Sequence, residues 1–406
     1  MTEASPIDPF EAAKQFFVDG LACLQAGRLE EAEQHFLSSL DLLPGRISTL
    51  VNLAATRLKL ARPREALEVA DQILAVEPEN VDAWFHRGNA LAALGRQPEA
   101  LVSYEQLLAL DARHSAAWFL RGQTLQMLGR VGEALAAYER AVAIDPGLAL
   151  AWSARGGLLR EMNRLDEAGE AFKQAIAHGG DAELNGYYLA SVGAQVPPPA
   201  APKRYVQSLF DDYADQFEEH LVQGLGYRGY AVLVQPLAGL AAAGRFRSAL
   251  DLGCGTGLCG PLVKPIAAHL VGVDLSSQML EKARSLRVYD RLEHAELIEY
   301  LSATDERHDL VLAADVFPYI GDLSPVFGAV HKVLDGGGVF CFSSELAAEG
   351  GPGFELRPGL RYVHSERYLR ELSADVGFEV VKLHRQPVRQ EQRHAIEGLY
   401  VYLTRR

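Results

Sequence analysis

Asp251-Leu252-Gly253-Cys254-Gly255-Thr256-Gly257 decides the fold of the second half of the chain. The apolar residues 248–252 run straight into it and read as a strand, and a helix is expected from about residue 258. Glycine at this density cannot extend a strand. It supplies the positive φ of a tight turn and lets backbone N–H groups at a helix start approach a ligand closely. The pattern continues outward. Residues 269–274 form a second strand that closes on Asp274, and Ser276 caps a helix to about residue 284. Further strands are expected at 292–295, 310–314 and 338–343, with helices between them. The last two, 378–384 and 398–403, have no long helix between them and read as an antiparallel pair. Ahead of the turn, apolar residues recur at helical spacing in 205–221, and a second helix is expected over 229–243. Alternation of β and α on this scale predicts a mostly parallel sheet.

Two cofactor classes compete for the turn. Gly255-Thr256-Gly257-Leu258-Cys259-Gly260 satisfies the dinucleotide pattern G-x-G-x-x-G, which would suit an NAD-dependent enzyme. Asp251, however, stands in the strand end, where a carboxylate can meet an amino-acid ammonium. Residues 251–257 resemble motif I of the class I S-adenosylmethionine (SAM) methyltransferases. Val273-Asp274-Leu275-Ser276-Ser277-Gln278-Met279-Leu280 is similar to their second strand and the helix after it.

This resemblance implies a Rossmann-like seven-stranded class I methyltransferase domain over 203–406, with SAM as cofactor. It places Asp251 near the methionine ammonium and packs the turn Gly253, Cys254 and Gly255 against the cofactor. Asp274 would accept from both ribose hydroxyls. Leu275 and Met279 would flank the adenine, and Glu296, followed by Leu297, would meet the adenine amine. Ala313 and Ala314 would end the fourth strand beside the sulfonium, and Tyr213 would belong to a lid. Ordinary readings stand beside these: Met279 as helix core, Glu296 as a helix start, Tyr213 as packing. Tyr319, His220, His331, His364 and His394 are candidate bases, but each also reads as structural, so no catalytic residue is assigned. Asp315-Val316-Phe317-Pro318-Tyr319 loosely resembles the Asp/Asn-Pro-Pro-Tyr box of N-methylation, without its first proline. The Gly/Pro-rich segment 344–361 is expected to be a mobile loop at the site.

The first half is periodic. Trp84, Trp118 and Trp152 are 34 residues apart, as are Gly20, Ala54, Gly88, Gly122 and Gly156. Ala32, Ala66, Ala100, Ala134 and Ala168 keep the same period, as do Phe36, Ala70, Tyr104, Tyr138 and Phe172. This resembles the tetratricopeptide repeat (TPR), a pair of antiparallel helices per unit stacked into an α-solenoid. Small residues allow close helix approach, and the aromatic position is expected to fill the space between neighbouring units. Five repeats are expected at about 13–182, and with a capping helix they make a repeat domain over 1–195. The prolines of 196–202 are expected to act as a semi-rigid spacer. The fold class is therefore α + α/β: a TPR solenoid, then the Rossmann-like domain.

The resemblance places Phe85, Asn89, Phe119, Gln123 and Gln126 in a concave groove suited to a protein or peptide. Self-association into a homo-oligomer is the other reading of that surface. The chain has 406 residues and a net charge of −14. Residues 1–196 hold 17 Lys/Arg against 26 Asp/Glu, and the remainder 22 against 27. A groove partner is thus expected to be basic, and nucleic acid is disfavoured. No apolar run is long enough to span a bilayer, and the N-terminal residues lack a signal-peptide pattern. Four scattered cysteines without C-x-x-C fit a reducing, cytoplasmic setting. Cys254 and Cys259 read as packing residues, and no metal site is expected.

Overall fold

The computed structural model describes residues 8–214, 226–241, 245–348, 350–391 and 394–406. Contacts divide the chain into two compact units, Met1–Asp181 and Ala182–Arg406.

The first unit consists of paired helices: α1 (Pro9–Gln25) with α2 (Leu29–Leu42), α3 (Ile47–Lys59) with α4 (Pro63–Val76), α5 (Val81–Ala93) with α6 (Gln97–Leu110), α7 (Ser115–Met127) with α8 (Val131–Ile144), and α9 (Ala149–Glu161) with α10 (Leu165–Ala177). The 34-residue period has a direct steric cause. A Cβ on Gly20, Gly88, Gly122 or Gly156 would stand 2.5–2.6 Å from the ring of Phe36, Tyr104, Tyr138 or Phe172. The ring expected between neighbouring units therefore presses first on the glycine of its own unit. Each large ring is wholly or almost wholly buried there.

The tryptophans are half-buried and serve the turns. The indole N–H groups of Trp84, Trp118 and Trp152 donate to the carbonyls of Pro78, Ala112 and Pro146 at 2.8, 3.0 and 2.8 Å. Arg87, Arg121 and Arg155 lie over those indoles at 5.6–5.8 Å. The same arginines pair with Asp71, Glu105 and Glu139 on the preceding unit. Buried Glu33 receives Arg57 at 2.9 Å and Arg62 at 2.6 Å, which offsets the cost of its burial.

The second unit begins with α11 (Ala182–Ser191), read from sequence as a cap on the repeats. Its Tyr187 donates to the Leu360 carbonyl at 2.8 Å and is buried against Ala201, Leu356, Leu360 and Tyr362. The proline run is held as well. Its extended backbone leaves carbonyls free to accept. Tyr362 donates to the Pro198 carbonyl at 2.6 Å, and the N–H groups of Gly321 and Asp322 donate to that of Pro199 at 2.8 and 2.9 Å. Residues 182–202 are thus bonded into the second unit rather than lying free as a spacer.

After α12 (Lys203–Tyr213) and α13 (Gly229–Val234) come β1 (Phe246–Leu252), α14 (Gly260–Val263), β2 (Ala267–Asp274), α15 (Ser277–Ser285), β3 (Arg291–His294), α16 (Leu297–Ala303), β4 (His308–Ala313), α17 (Ser324–Val333) and β5 (Leu334–Glu345). Then follow β6 (Phe354–Leu356), β7 (Tyr362–His364), α18 (Glu366–Val376), β8 (Phe378–Glu391) and β9 (His394–Arg405). The main sheet runs β3-β2-β1-β4-β5-β9-β8, a seven-stranded Rossmann-like order. Its pairings from β3 to β5 are parallel, and β9 runs antiparallel to both β5 and β8. Period-two alternation puts Leu250, Leu252, Val271 and Val273 in one core layer and Ala249, Leu270, Leu310 and Leu312 in the other.

Three expectations change. The helix from residue 229 stops at Val234, because Pro236 ends it and only a 3₁₀ turn follows. The helix after the glycine turn is a single turn that holds Pro261 in its first positions and gives way to a 3₁₀ turn containing Pro265. The segment read as a mobile loop carries β6, which pairs antiparallel with β7. Among the described residues, no helix is long and apolar enough to cross a membrane.

Candidate active site

The strand order reverses beside β1, so a crevice opens at the carboxyl ends of β1 and β4. A cavity of about 380 Å³ lies there. One side is built by the ends of β1, β2 and β3: Asp251, the turn 253–256, Asp274, Leu275, Ser276, Met279 and residues 295–298. The other is built by Ala314, Asp315, Val316, Tyr319 and Ile320 after β4, with Val206, Phe210, Tyr227 and Tyr230 ahead of the sheet.

The glycine turn is shaped by its own φ angles and by Asp274. Gly253 has φ +64°, and a Cβ there would stand 2.5 Å from Val316 Cγ2. Asp274 Oδ2 accepts from the Gly255 N–H at 2.7 Å and Oδ1 from the Ser276 N–H at 2.8 Å. Burial raises the Asp274 pKa, while these backbone donors oppose the shift. The Ser276 hydroxyl accepts from the Met279 N–H at 3.1 Å and itself bonds Asp211 of α12. Lys203, at the other end of α12, pairs with Glu299 of α16. That helix is therefore tied at both ends, with Val206 and Phe210 on the cavity wall.

Asp251 is 1% exposed. Its Oδ2 accepts from the Tyr289 hydroxyl at 2.7 Å, and its Oδ1 has no hydrogen-bond partner among the described residues. Burial pushes its pKa up to about 7. The Tyr289 bond opposes that rise, and nearby Asp274 adds to it. Thr256 Oγ1 is also buried without a partner. Such groups cost free energy unless something binds to them.

The structure brings Asp251, Gly253, Cys254, Gly255, Asp274, Leu275, Met279, Glu296 and Leu297 to one cavity. Glu296 has a second task, since its Oε2 accepts from the Glu299 N–H at 3.0 Å and caps α16. Ala313 is fully buried in the core, and its neighbours 314–316 line the cavity in its place. Tyr213 ends α12 and is not part of the described cavity wall.

Among the candidate bases within the described residues, only Tyr319 is on the wall. His364 is fully buried between the Ser344 hydroxyl at 2.7 Å and the Gly321 carbonyl at 3.0 Å, and burial lowers its pKa to about 4. It is a neutral structural group. His331 packs edge-on against Phe378 at 5.3 Å. His220 and the side chain of His394 lie outside the described residues. Cys254 and Cys259 are buried free thiols, and burial raises both well above the usual thiol range.

Sequence reasoning missed Tyr289, which lies 38 positions after its partner Asp251. It also missed Arg361, mostly buried after β6. Arg361 donates to Asp315 Oδ1 at 2.6 Å, Glu345 Oε1 at 2.6 Å and the Tyr319 hydroxyl at 3.0 Å. Arg389 joins the same Glu345 oxygen at 2.8 Å. No local pattern announces such a network.

A methyltransferase-domain family model matches residues 250–342, and a tetratricopeptide-repeat model matches 51–104 and 98–149. The chain is 29% identical over 181 residues to a malonyl-[acyl-carrier protein] O-methyltransferase of Enterobacter lignolyticus, covering 44% of this chain and 68% of that one. It is 28% identical over 156 residues to a probable S-adenosylmethionine-dependent methyltransferase of Mycolicibacterium smegmatis, covering 38% and 59%. Magnesium protoporphyrin IX methyltransferase from Synechocystis PCC 6803, solved with bound SAH, aligns at 17% identity and TM-score 0.39, covering 50% of this chain and 99% of that one. The chain therefore joins tetratricopeptide repeats in its first unit to a methyltransferase domain in its second, with a β3-β2-β1-β4-β5-β9-β8 sheet around the cavity, and is similar to SAM-dependent methyltransferases.

Proposed function

We propose that the second unit holds SAM in this cavity and methylates an acceptor, while the repeats recruit a protein. The observation that carries the reading is Asp251. Asp251 lines the cavity, and its buried Oδ1, without a partner among the described residues, suits the ammonium of an amino acid. SAM, when bound, supplies a methyl group already activated on a sulfonium. Gly253, Cys254 and Gly255 would hold the cofactor through their backbone. Asp274 keeps a second lone pair on each oxygen, enough for two ribose hydroxyls beside its backbone donors. Leu275, Met279 and Leu297 would bound the adenine, and the free oxygen of Glu296 would meet its amine. Tyr213 would act through the placement of α12, and Ala313 as core beneath residues 314–316.

The repeats of about 13–182 would act as the recruiting domain, and 203–406 as the catalytic one. The acidity of the first half favours a basic protein partner, and a second copy of the chain is the alternative occupant. Four buried free thiols are in keeping with a reducing cytoplasm.

Calorimetry tests the cofactor. S-adenosylhomocysteine should bind the full chain and NAD should not, and Asp251→Asn should weaken binding at least about tenfold. Binding of NAD in preference to S-adenosylhomocysteine would overturn the reading.

A further inference from the structure

The part of the cavity beyond the glycine turn has its own chemistry. Its wall after β4 carries one carboxylate, Asp315, and the hydroxyl of Tyr319, with Phe210, Tyr227 and Tyr230 presenting rings. Asp315 is held in a left-handed backbone conformation, φ +59°, and its N–H donates to the Ser343 hydroxyl at 2.9 Å. A non-glycine residue keeps such a conformation only where the surroundings impose it, and these residues concentrate at functional sites.

The hydrogen bonds around Asp315 leave two groups for a ligand. Arg361 takes Oδ1, and Oδ2 has no partner among the described residues. The Tyr319 oxygen accepts from Arg361, so its own O–H remains to donate. Burial keeps this phenol protonated, against the opposing pull of Arg361. An acceptor and a donor thus stand on one wall among aromatic rings.

The same bonds leave no cation for an acid. The three donor edges of Arg361 are committed to Asp315, Glu345 and Tyr319. Lys203, also on the wall, is paired with Glu299. Among the described residues the cavity therefore offers carboxylates and no unpaired positive charge.

Resting on the SAM reading above, we propose that the methyl acceptor is an uncharged ring compound bearing a hydroxyl or amine nucleophile, which donates its hydrogen bond to Asp315 and accepts one from Tyr319. A carboxylic acid is excluded by repulsion from Asp315. As the nucleophile gains the methyl group, its bond to hydrogen breaks. The proton passes to Asp315 Oδ2 and then to water, while the electron pair of the broken carbon–sulfur bond stays on sulfur as a thioether. Arg361 positions Asp315 and Tyr319 without touching the acceptor.

The test uses three probes that share one ring, para-ethylphenol, para-ethylaniline and para-ethylbenzoate, titrated into the full chain saturated with S-adenosylhomocysteine. The phenol and aniline should bind at least about tenfold more tightly than the benzoate. Asp315→Asn should shrink that gap to within about threefold. Tyr319→Phe keeps every charge in place. It should weaken the phenol several-fold and preserve the discrimination against benzoate, and it carries the test if Asp315→Asn no longer binds S-adenosylhomocysteine. Benzoate binding as tightly as phenol would overturn the proposal. So would an unchanged gap in a folded Asp315→Asn, unaltered phenol binding in Tyr319→Phe, or failure of all three probes while S-adenosylhomocysteine binds. Methylation of malonyl-[acyl-carrier protein] in preference to the phenol would overturn it as well. If S-adenosylhomocysteine itself does not bind, the SAM reading fails first and the acceptor class falls with it.

Discussion

Gly88 and Gly253 have the same clearance and opposite purposes. A Cβ on either would meet a neighbouring side chain at 2.5 Å, Tyr104 in the repeats and Val316 beside the cavity. Gly88 sits in a regular helix and makes room for a ring of its own repeat. Gly253 has φ +64° and shapes a turn that lines an open site. In the first unit a sequence feature recurs because the same packing problem recurs every 34 residues. In the second, each feature is used once, because it faces a particular part of a ligand. Substitutions in the repeats should therefore move stability, and substitutions in the turn should move binding.

The largest expected effect is at Gly253. Gly253→Ala adds both left-handed backbone strain and a clash with Val316, roughly 2–5 kcal/mol together. Affinity for S-adenosylhomocysteine should fall by about a hundredfold or more. Adding Val316→Ala should recover the part due to the clash and leave the strain.

Asp274→Ala comes next. It removes the acceptor of two backbone N–H groups and the proposed ribose partner, at about 1.5–3 kcal/mol. Calorimetry should show S-adenosylhomocysteine binding weakened about tenfold to a hundredfold. Unchanged affinity would remove Asp274 from the site.

Gly88→Ala should cost the repeats about 1–3 kcal/mol through overpacking against Tyr104. Thermal unfolding should show this while cofactor affinity stays as in the parent chain. A matching loss of affinity would break the division between packing glycines and ligand glycines.

A smaller effect follows from pH. The folded-state pKa of Asp251 is raised to about 7, above its unfolded value. The folded chain therefore binds this proton more tightly than the unfolded chain does. Its contribution to the stability of the free protein is present below the unfolded pKa, declines as pH rises, and is lost above about 7. An ammonium needs the ionised carboxylate, so affinity for S-adenosylhomocysteine should rise about tenfold from pH 6 to 8 and then level off. Asp251→Asn should flatten that profile. The smallest effect is expected at Arg130, whose pair with Glu133 lies on the repeat surface. Arg130→Gln should leave thermal unfolding and cofactor binding unchanged within error.

The two units also differ in how far their sequences could be read. Gly88 and Tyr104 are sixteen residues apart in every repeat where both occur, so the period exposes the contact partners without a structure. Strands β1 and β2 were equally plain, because apolar runs ending on Gly253 or Asp274 have few other readings. Tyr289 was not readable, since its bond to Asp251 depends on β2 and α15 returning the chain to the end of β1. Of Ala313 and Ala314, strand alternation turns the first into the core and leaves the second, with residues 315 and 316, on the cavity wall.

By itself, the sequence determined the repeat, the strand–turn–helix at residue 251 and the carboxylates that flank it. These are local: period, propensity and the φ demanded of glycine act over a few residues. Only the tertiary structure decided that residues 182–202 fasten to the second unit, that Tyr289 leaves one oxygen of Asp251 unpartnered, and that Arg361 holds Asp315 and Tyr319 in place. Those contacts join residues 38 to 173 positions apart. Their cause is the desolvation of polar groups that must find partners wherever the fold brings them, and no sequence interval encodes that choice.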